Sequence, residues 1–479
     1  MSAKRAASLL TVSCAALMAG CMTPPNLGAR PELAKGESYA VARSFLAPES
    51  AWPSDRWWEA YGDTQLNTLI EEALRDSPTL AAAAARVRRA EAAAQQAGAA
   101  RYPSISTQSG VQASRTDISF DSAPAALNDL SSGDWTSRSS AALSIGYQLD
   151  FFGRNRASFA AATSQARAAE AEAAAARLQL STAVAGAYAE MLRLTADRSA
   201  AEGTVRMRDD SARLVRQRVS SGVENEGQAH QADAKLAAAR ADLESIDAAI
   251  ARTRNALAAL LGKGPDRGLE IAPPAQPRIA APGLPASIEI NLIGRRPDLV
   301  AARLRAEAAA QKINAARADF YPNVNLTALV SLQTLGLDRL GGGTLSMGQV
   351  GPAVSLPIFD GGRIEGNYRG ARAEYDEAVA LYNQALADAL KEVADAFGDR
   401  RAAERELAHA RSGLASAEAA YRIARIRYEG GLISYIDTLS VEDGLVAQRR
   451  AVADLEAHAL ALDIALTRAL GGGFAASRS

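Results

Sequence analysis

An internal duplication is the feature that most constrains how this 479-residue chain can fold. Three glycine landmarks recur at a constant separation of 209 positions. They are the pairs Gly153 and Gly362, Gly222 and Gly431, and Gly262 and Gly471. No net insertion or deletion separates the two copies. This is expected of a long helical hairpin, in which a one-residue slip rotates every side chain off the packing seam.

Heptad spacing predicts that each copy is a long helix, a short turn at the central glycine and a returning helix. In the second copy, seven-residue steps connect large residues that are apolar except for Arg400, and small alanines follow most of them three positions later. The first limb of copy one, residues 154–219, is roughly 100 Å long at about 1.5 Å per residue. The large residues of the seam are Val379, Leu386, Val393, Arg400, Leu407, Leu414, Tyr421 and Tyr428.

Ahead of each long helix the period changes from helical to alternating. Runs near 104–113, 143–151, 324–332 and 345–358 predict four strands of about ten residues, one hairpin per repeat. Ten residues is the length of a strand tilted across an outer membrane, although a soluble β-domain with one wet face would alternate in the same way. Four strands leave open edges, so in lipid several chains would have to close one barrel.

A second recurrence extends the duplication to the whole mature chain. The spacing from Pro78 to Pro103 returns from Pro297 to Pro322, with proline suited to both helix boundaries. The predicted organisation is therefore two tandem repeats joined by a segment rich in proline and glycine. The predicted parts of the whole chain are a signal peptide (1–20), a lipidated tether (21–50), repeat one (51–262, strands within 104–152), a linker (263–294), repeat two (295–473, strands within 323–360) and a tail (474–479).

The N-terminus has the pattern of a bacterial export signal. Lys4 and Arg5 precede a short apolar run that ends in Leu-Met-Ala-Gly before Cys21. Small residues before a cysteine resemble a lipobox, which predicts that Cys21 becomes the diacylated first residue; an ordinary signal peptide that contains a cysteine is the alternative. Residue 22 is Met, not the Asp that would retain a lipoprotein at the inner membrane. No later run of about 18 apolar residues predicts a membrane-spanning helix.

Composition argues against several other classes of protein. The net charge of −1 gives no reason to expect nucleic-acid binding. Alanine dominates a chain that is 48% hydrophobic but only 5% aromatic, which suits closely packed helices. With two cysteines, three scattered histidines and no Walker, dinucleotide-binding or HExxH motif, we expect no enzyme activity, no cofactor and no metal site.

These features together resemble the TolC-like outer membrane efflux protein family, in its OprM/NodT-type lipoprotein branch. The residues that carry the resemblance are Cys21 after a signal, the segments 55–63 (DRWWEAYGD), 295–299 (RRPDL) and 315–322 (AARADFYP), and the second turn at 427–432 (RYEGGL). The resemblance implies a mainly α fold with a small β part. Three chains would share a twelve-strand outer membrane barrel above a twelve-helix periplasmic tunnel.

The resemblance also implies a function and partners. The protein would be a passive exit duct for small molecules, lipid-anchored in the outer membrane and reaching into the periplasm. It would receive its cargo through a periplasmic adaptor from an inner-membrane pump, most commonly of the resistance-nodulation-division type. The alternative is a lipid-anchored periplasmic adaptor, but that class has one hairpin between lipoyl-like and small β-barrel halves, whereas this chain has two.

Only one candidate site follows from the resemblance. The family narrows the periplasmic end with acidic residues after the second glycine turn, and Asp437 occupies one such position while Ser440 occupies another. Three copies of Asp437 around an axis would attract cations. The local alternative is that Ser434 and Asp437 form a capping box that starts the returning helix. At the first turn, Glu224 and Glu226 are expected to be solvated, with contact to an adaptor as the alternative.

Charges at the start of the second repeat have a structural interpretation. Arg295, Arg296 and Asp298 flank Pro297 at a predicted helix start, and we expect them to fix the joint between the repeats rather than to contact a solute.

Overall fold

The computed structural model describes residues 23–115, 135–275, 277–335 and 344–476. Cys21 lies outside the described residues, as do the Gly- and Ser-rich connections at 131–134 and 341–343. The elements in chain order are α1 (Thr64–Asp76), α2 (Pro78–Ala99), β1 (Ser104–Arg115), β2 (Trp135–Leu149), α3 (Arg154–Ser220), α4 (Glu226–Leu260), α5 (Pro265–Leu269), α6 (Ile288–Arg295), α7 (Pro297–Ala318), β3 (Asn323–Leu335), β4 (Thr344–Ser355), α8 (Arg363–Glu429) and α9 (Tyr435–Ala469).

The helices repeat with the spacing predicted from the sequence. Helices α3 and α8 each have 67 residues, α4 and α9 each have 35, and both pairs are offset by 209 positions. Helices α2 and α7 each have 22 residues and are offset by 219. The predicted bounds are within two residues of those observed, because glycine and proline define most of the ends.

The strands form one antiparallel sheet in the order β1-β2-β3-β4. Each repeat contributes one hairpin, as predicted, and β2 pairs with β3 to join the two hairpins. The strands have 12, 15, 13 and 12 residues, longer than the predicted ten, and β4 ends at Ser355 rather than at Ile358. Apolar side chains such as Ile105, Val330 and Val350 are exposed on the sheet.

The described chain divides into two compact units. Of the described residues, the first unit comprises those within 23–32, 88–167 and 304–379 and contains the sheet. The second comprises those within 33–87, 168–303 and 380–476. Large clusters of buried apolar side chains lie in the second unit. One cluster gathers Trp58, Leu66, Ile70 and Tyr188, and another gathers Tyr382, Leu386 and Val393 of the predicted heptad seam.

The segment after the proposed lipidation site is extended and packed against helix α8. In the first unit, Arg372 donates to the carbonyls of Gly28 (3.2 Å) and Ala29, and the Tyr375 hydroxyl donates to the Pro31 carbonyl at 3.0 Å. In the second unit, the Ala34 amide donates to Asn383 Oδ1 at 2.8 Å. Side chains of helix α8 therefore hold the backbone of this segment along the helix. Within the described ranges, no helix is both long and apolar enough to cross a bilayer.

Candidate gate at the second glycine turn

The turn between α8 and α9 is built around a glycine in the left-handed region. Gly431 has φ +74°, and the Leu432 amide closes the helix end on the Arg427 carbonyl at 2.8 Å. The first turn repeats this geometry at Gly222, with φ +76° and the Val223 amide on the Arg218 carbonyl at 2.9 Å. Glycine adopts this φ without the steric cost that a β-carbon adds, which explains why it recurs at both turns.

Asp437 is exposed and forms the predicted capping box with Ser434. The Asp437 amide donates to Ser434 Oγ at 3.2 Å, while the Asp437 carboxylate accepts from the Ser434 amide at 3.1 Å and from its hydroxyl at 2.7 Å. The hydrogen bond from the Ser434 hydroxyl has the largest effect in lowering the pKa of Asp437, and the hydrogen bond from the Ser434 amide lowers it further. The carboxylate is therefore ionised at neutral pH.

The first turn shows that this cap does not need a charge. Asn225 and Gln228 form an equivalent capping box, with the Gln228 amide on Asn225 Oδ1 at 3.1 Å and the Asn225 amide on Gln228 Oε1 at 3.3 Å. Gln228 and Asp437 are 209 positions apart. A neutral amide thus satisfies the helix start, and the charge of Asp437 is available for another role.

Beneath the second turn, an arginine holds the end of α8. Arg218 lies over the Tyr428 ring at 4.8 Å and donates to the Tyr428 carbonyl at 3.2 Å. Its Nε is 3.7 Å from the carboxylate of Glu224, whose side chain is only 11% exposed. The expectation that Glu224 is solvated was therefore wrong, because this neighbouring arginine draws the carboxylate inward. Glu226 is exposed, as expected.

A buried ion pair lies one to two helical turns beyond Asp437. Glu442 of α9 is 0% exposed, and its Oε1 is 3.0 Å from Nη1 of Arg208 on α3, whose side chain is 5% exposed. The pair is close but not aligned for a hydrogen bond. Ser211 donates to the other Glu442 oxygen at 3.1 Å.

The surroundings of the pair are aromatic and charged. Arg208 also pairs with Asp443, which accepts from Lys235 of α4 at 3.1 Å. Burial raises the pKa of Tyr435 to about 12 and also raises the pKa of Glu442, although the positive charge of Arg208 opposes the latter shift. Three helices, α3, α4 and α9, thus meet around this ion pair, whose burial is costly unless every partner stays in place.

Sequence reasoning did not identify this pair, although a signal was present. Arg208 lies between Val205 and Ala212, at heptad spacing in the first seam, and Glu442 lies between Leu439 and Leu445, both buried. A charge at an apolar heptad position is the signal, because such a residue is buried and must find a partner.

The charges that start the second repeat meet at a buried joint, as expected. Arg296 contacts Glu392 at 2.7 Å and Asp298 at 2.6 Å, and donates to the Ala469 carbonyl at 3.3 Å. Arg295 lies over the Trp52 ring at 4.6 Å. The contacts to Glu392 and Ala469 hold α8 and α9 against the start of α7, whereas the contact to Asp298 lies within the start of α7 itself. Among the residues described, no group of three or more His, Cys, Asp or Glu could hold a metal ion.

Comparison with known proteins defines the class. Residues 69–263 and 291–472 match the family model of the outer membrane efflux protein, so the chain belongs to that family. It is 30% identical to the multidrug resistance outer membrane protein MdtP of Shigella flexneri over 96% of this chain and 95% of that protein. It is 28% identical to the probable outer membrane lipoprotein SilC of Salmonella typhimurium over 97% and 98% of the two chains.

A solved structure gives the architecture. The outer membrane protein VceC of Vibrio cholerae is 41% identical, with a TM-score of 0.81 over 88% of this chain and all of that one. The chain accordingly has the TolC-like fold, in which three copies share a β-barrel and a helical tunnel. It is the outer membrane channel component of a tripartite efflux system, a passive exit duct for small molecules delivered by an inner-membrane pump and a periplasmic adaptor.

Proposed function

We propose that this duct is closed at its periplasmic end by the packing of α9 against α3, and that the duct serves a pump of the resistance-nodulation-division type. The main support for this gate is the buried Arg208–Glu442 pair, because it joins the first turns of α9 to a helix of the other repeat. Opening the end by moving α9 outward would separate the pair and hydrate both charges. Affinity capture of the cross-linked protein from cell envelopes, followed by mass spectrometry, identifies the adaptor and the pump.

Asp437 adds a ring of negative charge to this gate. Its carboxylate is exposed and ionised, and a trimer carries three copies. Acidic rings favour cations in a narrow pore. The proposed role of Asp437 is therefore electrostatic, and its capping role is separate.

Replacing Asp437 with asparagine is expected to reduce the cation preference of the channel and to leave its stability unchanged. The amide oxygen can still accept from Ser434, as Gln228 does at the first turn. The measurement is the reversal potential of purified trimers in a salt gradient across a planar bilayer. Asp437→Ala should lose the same selectivity and also lower the stability of the helix start, because it removes one half of the capping box.

Gln228→Ala is the matched control for this pair of variants. It removes the equivalent cap without removing a charge, so it should leave selectivity unchanged. If Asp437→Asn retains the wild-type reversal potential, Asp437 is only a cap.

Lipidation of Cys21 is the second part of the proposal. Gly28 is held by Arg372, nine residues or about 14 Å along α8 from its start at Arg363. Cys21 precedes Gly28 by seven residues, which can span about 23 Å when extended. An acylated Cys21 can therefore reach the level at which the strands end, and the relative SilC is named as a probable lipoprotein.

Cys21→Ser is expected to abolish incorporation of labelled palmitate, whereas Cys14→Ser, a matched change inside the signal, should retain it. The reason is that only the cysteine at the cleavage site is acylated and retained. The measurement is metabolic labelling followed by immunoprecipitation of the mature chain. Absence of label from the wild-type protein would instead favour an ordinary signal peptide.

A further inference from the structure

Large apolar side chains are exposed where the strands of the first unit give way to helices. Phe151, after β2, is 66% exposed, and Phe359, after β4, is 89% exposed. Ile358 and Tyr102 beside the strand ends are also exposed, at 72% and 69%. Such residues are costly in water but stable at the boundary between lipid tails and headgroups, where aromatic side chains are enriched.

Exposed arginines follow these rings in the sequence, at the starts of the two long helices. The side chains of Arg154, Arg156 and Arg363, at the starts of α3 and α8, are 52%, 66% and 64% exposed. We call Phe151, Arg154, Arg156, Phe359 and Arg363 the collar. It combines exposed apolar rings with exposed guanidinium groups.

The carboxylates of this region face inward and are already occupied. Asp150 accepts from the amides of Asn155 (3.1 Å) and Arg156 (2.9 Å), and its side chain is 17% exposed. Asp360 accepts from the amides of Ile364 (2.8 Å) and Gly362 (3.0 Å), and its side chain is 8% exposed. Both helix starts are therefore satisfied by aspartate, and neither offers a free anion site.

The aspartates neutralise the arginines only in part. Asp319 pairs with Arg154 at 3.0 Å, so Arg154 is the arginine most strongly engaged within the protein. Arg156 is 3.4 Å from Asp150, and Arg363 is 4.0 Å from Asp360. The Ile364 amide in particular lowers the pKa of Asp360, so this carboxylate stays ionised while it is turned away from solvent. The guanidinium groups of Arg156 and Arg363 therefore remain exposed, while their partner carboxylates are largely shielded from solvent.

The two repeats converge here on one cavity. Arg154 and Arg363, which are 209 positions apart, both line a cavity of about 190 Å³ together with Gln148, Asn323 and Tyr321. The Tyr321 ring stacks on Phe152 with centroids 4.7 Å apart and an angle of 10° between the planes. The duplication thus places an arginine from each repeat beside one polar recess with an aromatic wall.

We propose that the collar binds the phosphate headgroup of an anionic phospholipid at the periplasmic face of the outer membrane. Guanidinium groups bind phosphate oxygens in a bidentate manner, and Arg156 and Arg363 are farther from their partner carboxylates than Arg154 is. Phe151 and Phe359 would lie against the first carbons of the acyl chains. A free phosphate would use the arginines but not the rings, and this is why a lipid is the favoured occupant.

The test is lipid binding by the intact, detergent-purified trimer with Arg156→Gln and Arg363→Gln combined. These changes leave the Arg154–Asp319 pair in place. Native mass spectrometry after addition of phosphatidylglycerol or phosphatidylethanolamine measures the lipid retained per trimer. Wild type should prefer phosphatidylglycerol, and the double variant should lose about fivefold in affinity per arginine removed.

The control is Arg213→Gln combined with Arg411→Gln, in which two arginines with side chains 64% and 60% exposed are removed from the second unit. It should bind phosphatidylglycerol as wild type does. Equal binding by the collar variant, or full competition by inorganic phosphate at the lipid concentration, would overturn the proposal. If the double variant fails to form trimers, Arg363→Gln alone gives the same test with a smaller expected loss.

Discussion

Replacing Arg208 with methionine is expected to open the channel. Methionine has a similar reach but no charge, so Glu442, fully buried in the wild type, loses the cation that compensates it. Breaking a buried pair in this way costs about 3 kcal/mol or more. If the penalty applies only to the closed packing, the ratio of open to closed channels rises about a hundredfold.

The measurement is single-channel conductance of purified trimers in planar bilayers. The effect should grow as pH rises, because an ionised Glu442 is more costly to bury, and it should shrink in acid as the carboxyl group is protonated. Burial already raises the pKa of Glu442 in the wild type. We therefore expect the effect on conductance to change at a pH above the usual pKa range of carboxyl groups.

Arg213→Met provides the matched control on the same helix. Arg213 is 64% exposed and pairs with Asp209 and Asp210 at the surface, where ion pairs contribute about 0–1 kcal/mol. Its conductance should equal that of the wild type. If Arg208→Met lowers the thermal stability of the trimer but leaves conductance unchanged, the pair is structural and does not hold the gate.

The elements of the fold were predictable because they repeat. A constant offset of 209 fixed both ends of four helices, and the change from helical to alternating period located the hairpins. Strand pairing was less accessible. That β2 pairs with β3 depends on contacts between residues nearly 200 positions apart, on which local periodicity carries no information.

The site was predictable only in its local part. The capping box at Ser434 and Asp437 involves residues three positions apart, and the structure contains it. The Arg208–Glu442 pair joins residues that are 234 positions apart. Charges at apolar heptad positions suggest that a buried ion pair exists, but they do not show which residues form it. Arg400 illustrates the same limit.

Arg400 is the charged exception in the apolar seam of α8, with a side chain 5% exposed. It pairs with Glu404 at 3.2 Å, four residues on, which spacing could suggest. It also donates to the Ala280 carbonyl at 3.2 Å, in the linker between the repeats, which no sequence pattern indicates. Buried charges in this fold are thus the points at which distant segments are joined.

Replacing Arg296, at the joint between the repeats, is expected to lower the stability of the protein. Arg296→Met removes the contacts to Glu392 and Asp298 and leaves the Ala469 carbonyl, at the last residue of α9, without this donor. The expected cost is about 3 kcal/mol per protomer, toward the lower end for a buried pair because both carboxylates are at least 40% exposed and can be hydrated. The measurement is the free energy of unfolding in urea, accompanied by trimer abundance in cells.

Arg295→Met separates this effect from a general loss of charge. Arg295 lies over the Trp52 ring, and no carboxylate pairs with it among the described residues. Its loss should therefore cost only the cation–π contact, about 0.5–1 kcal/mol. The backbones are closely packed at this joint, because Gly471 has φ +92° and a β-carbon there would lie 2.0 Å from the Arg295 carbonyl oxygen. Equal stability of the two variants would show that the joint does not depend on the Arg296 charge.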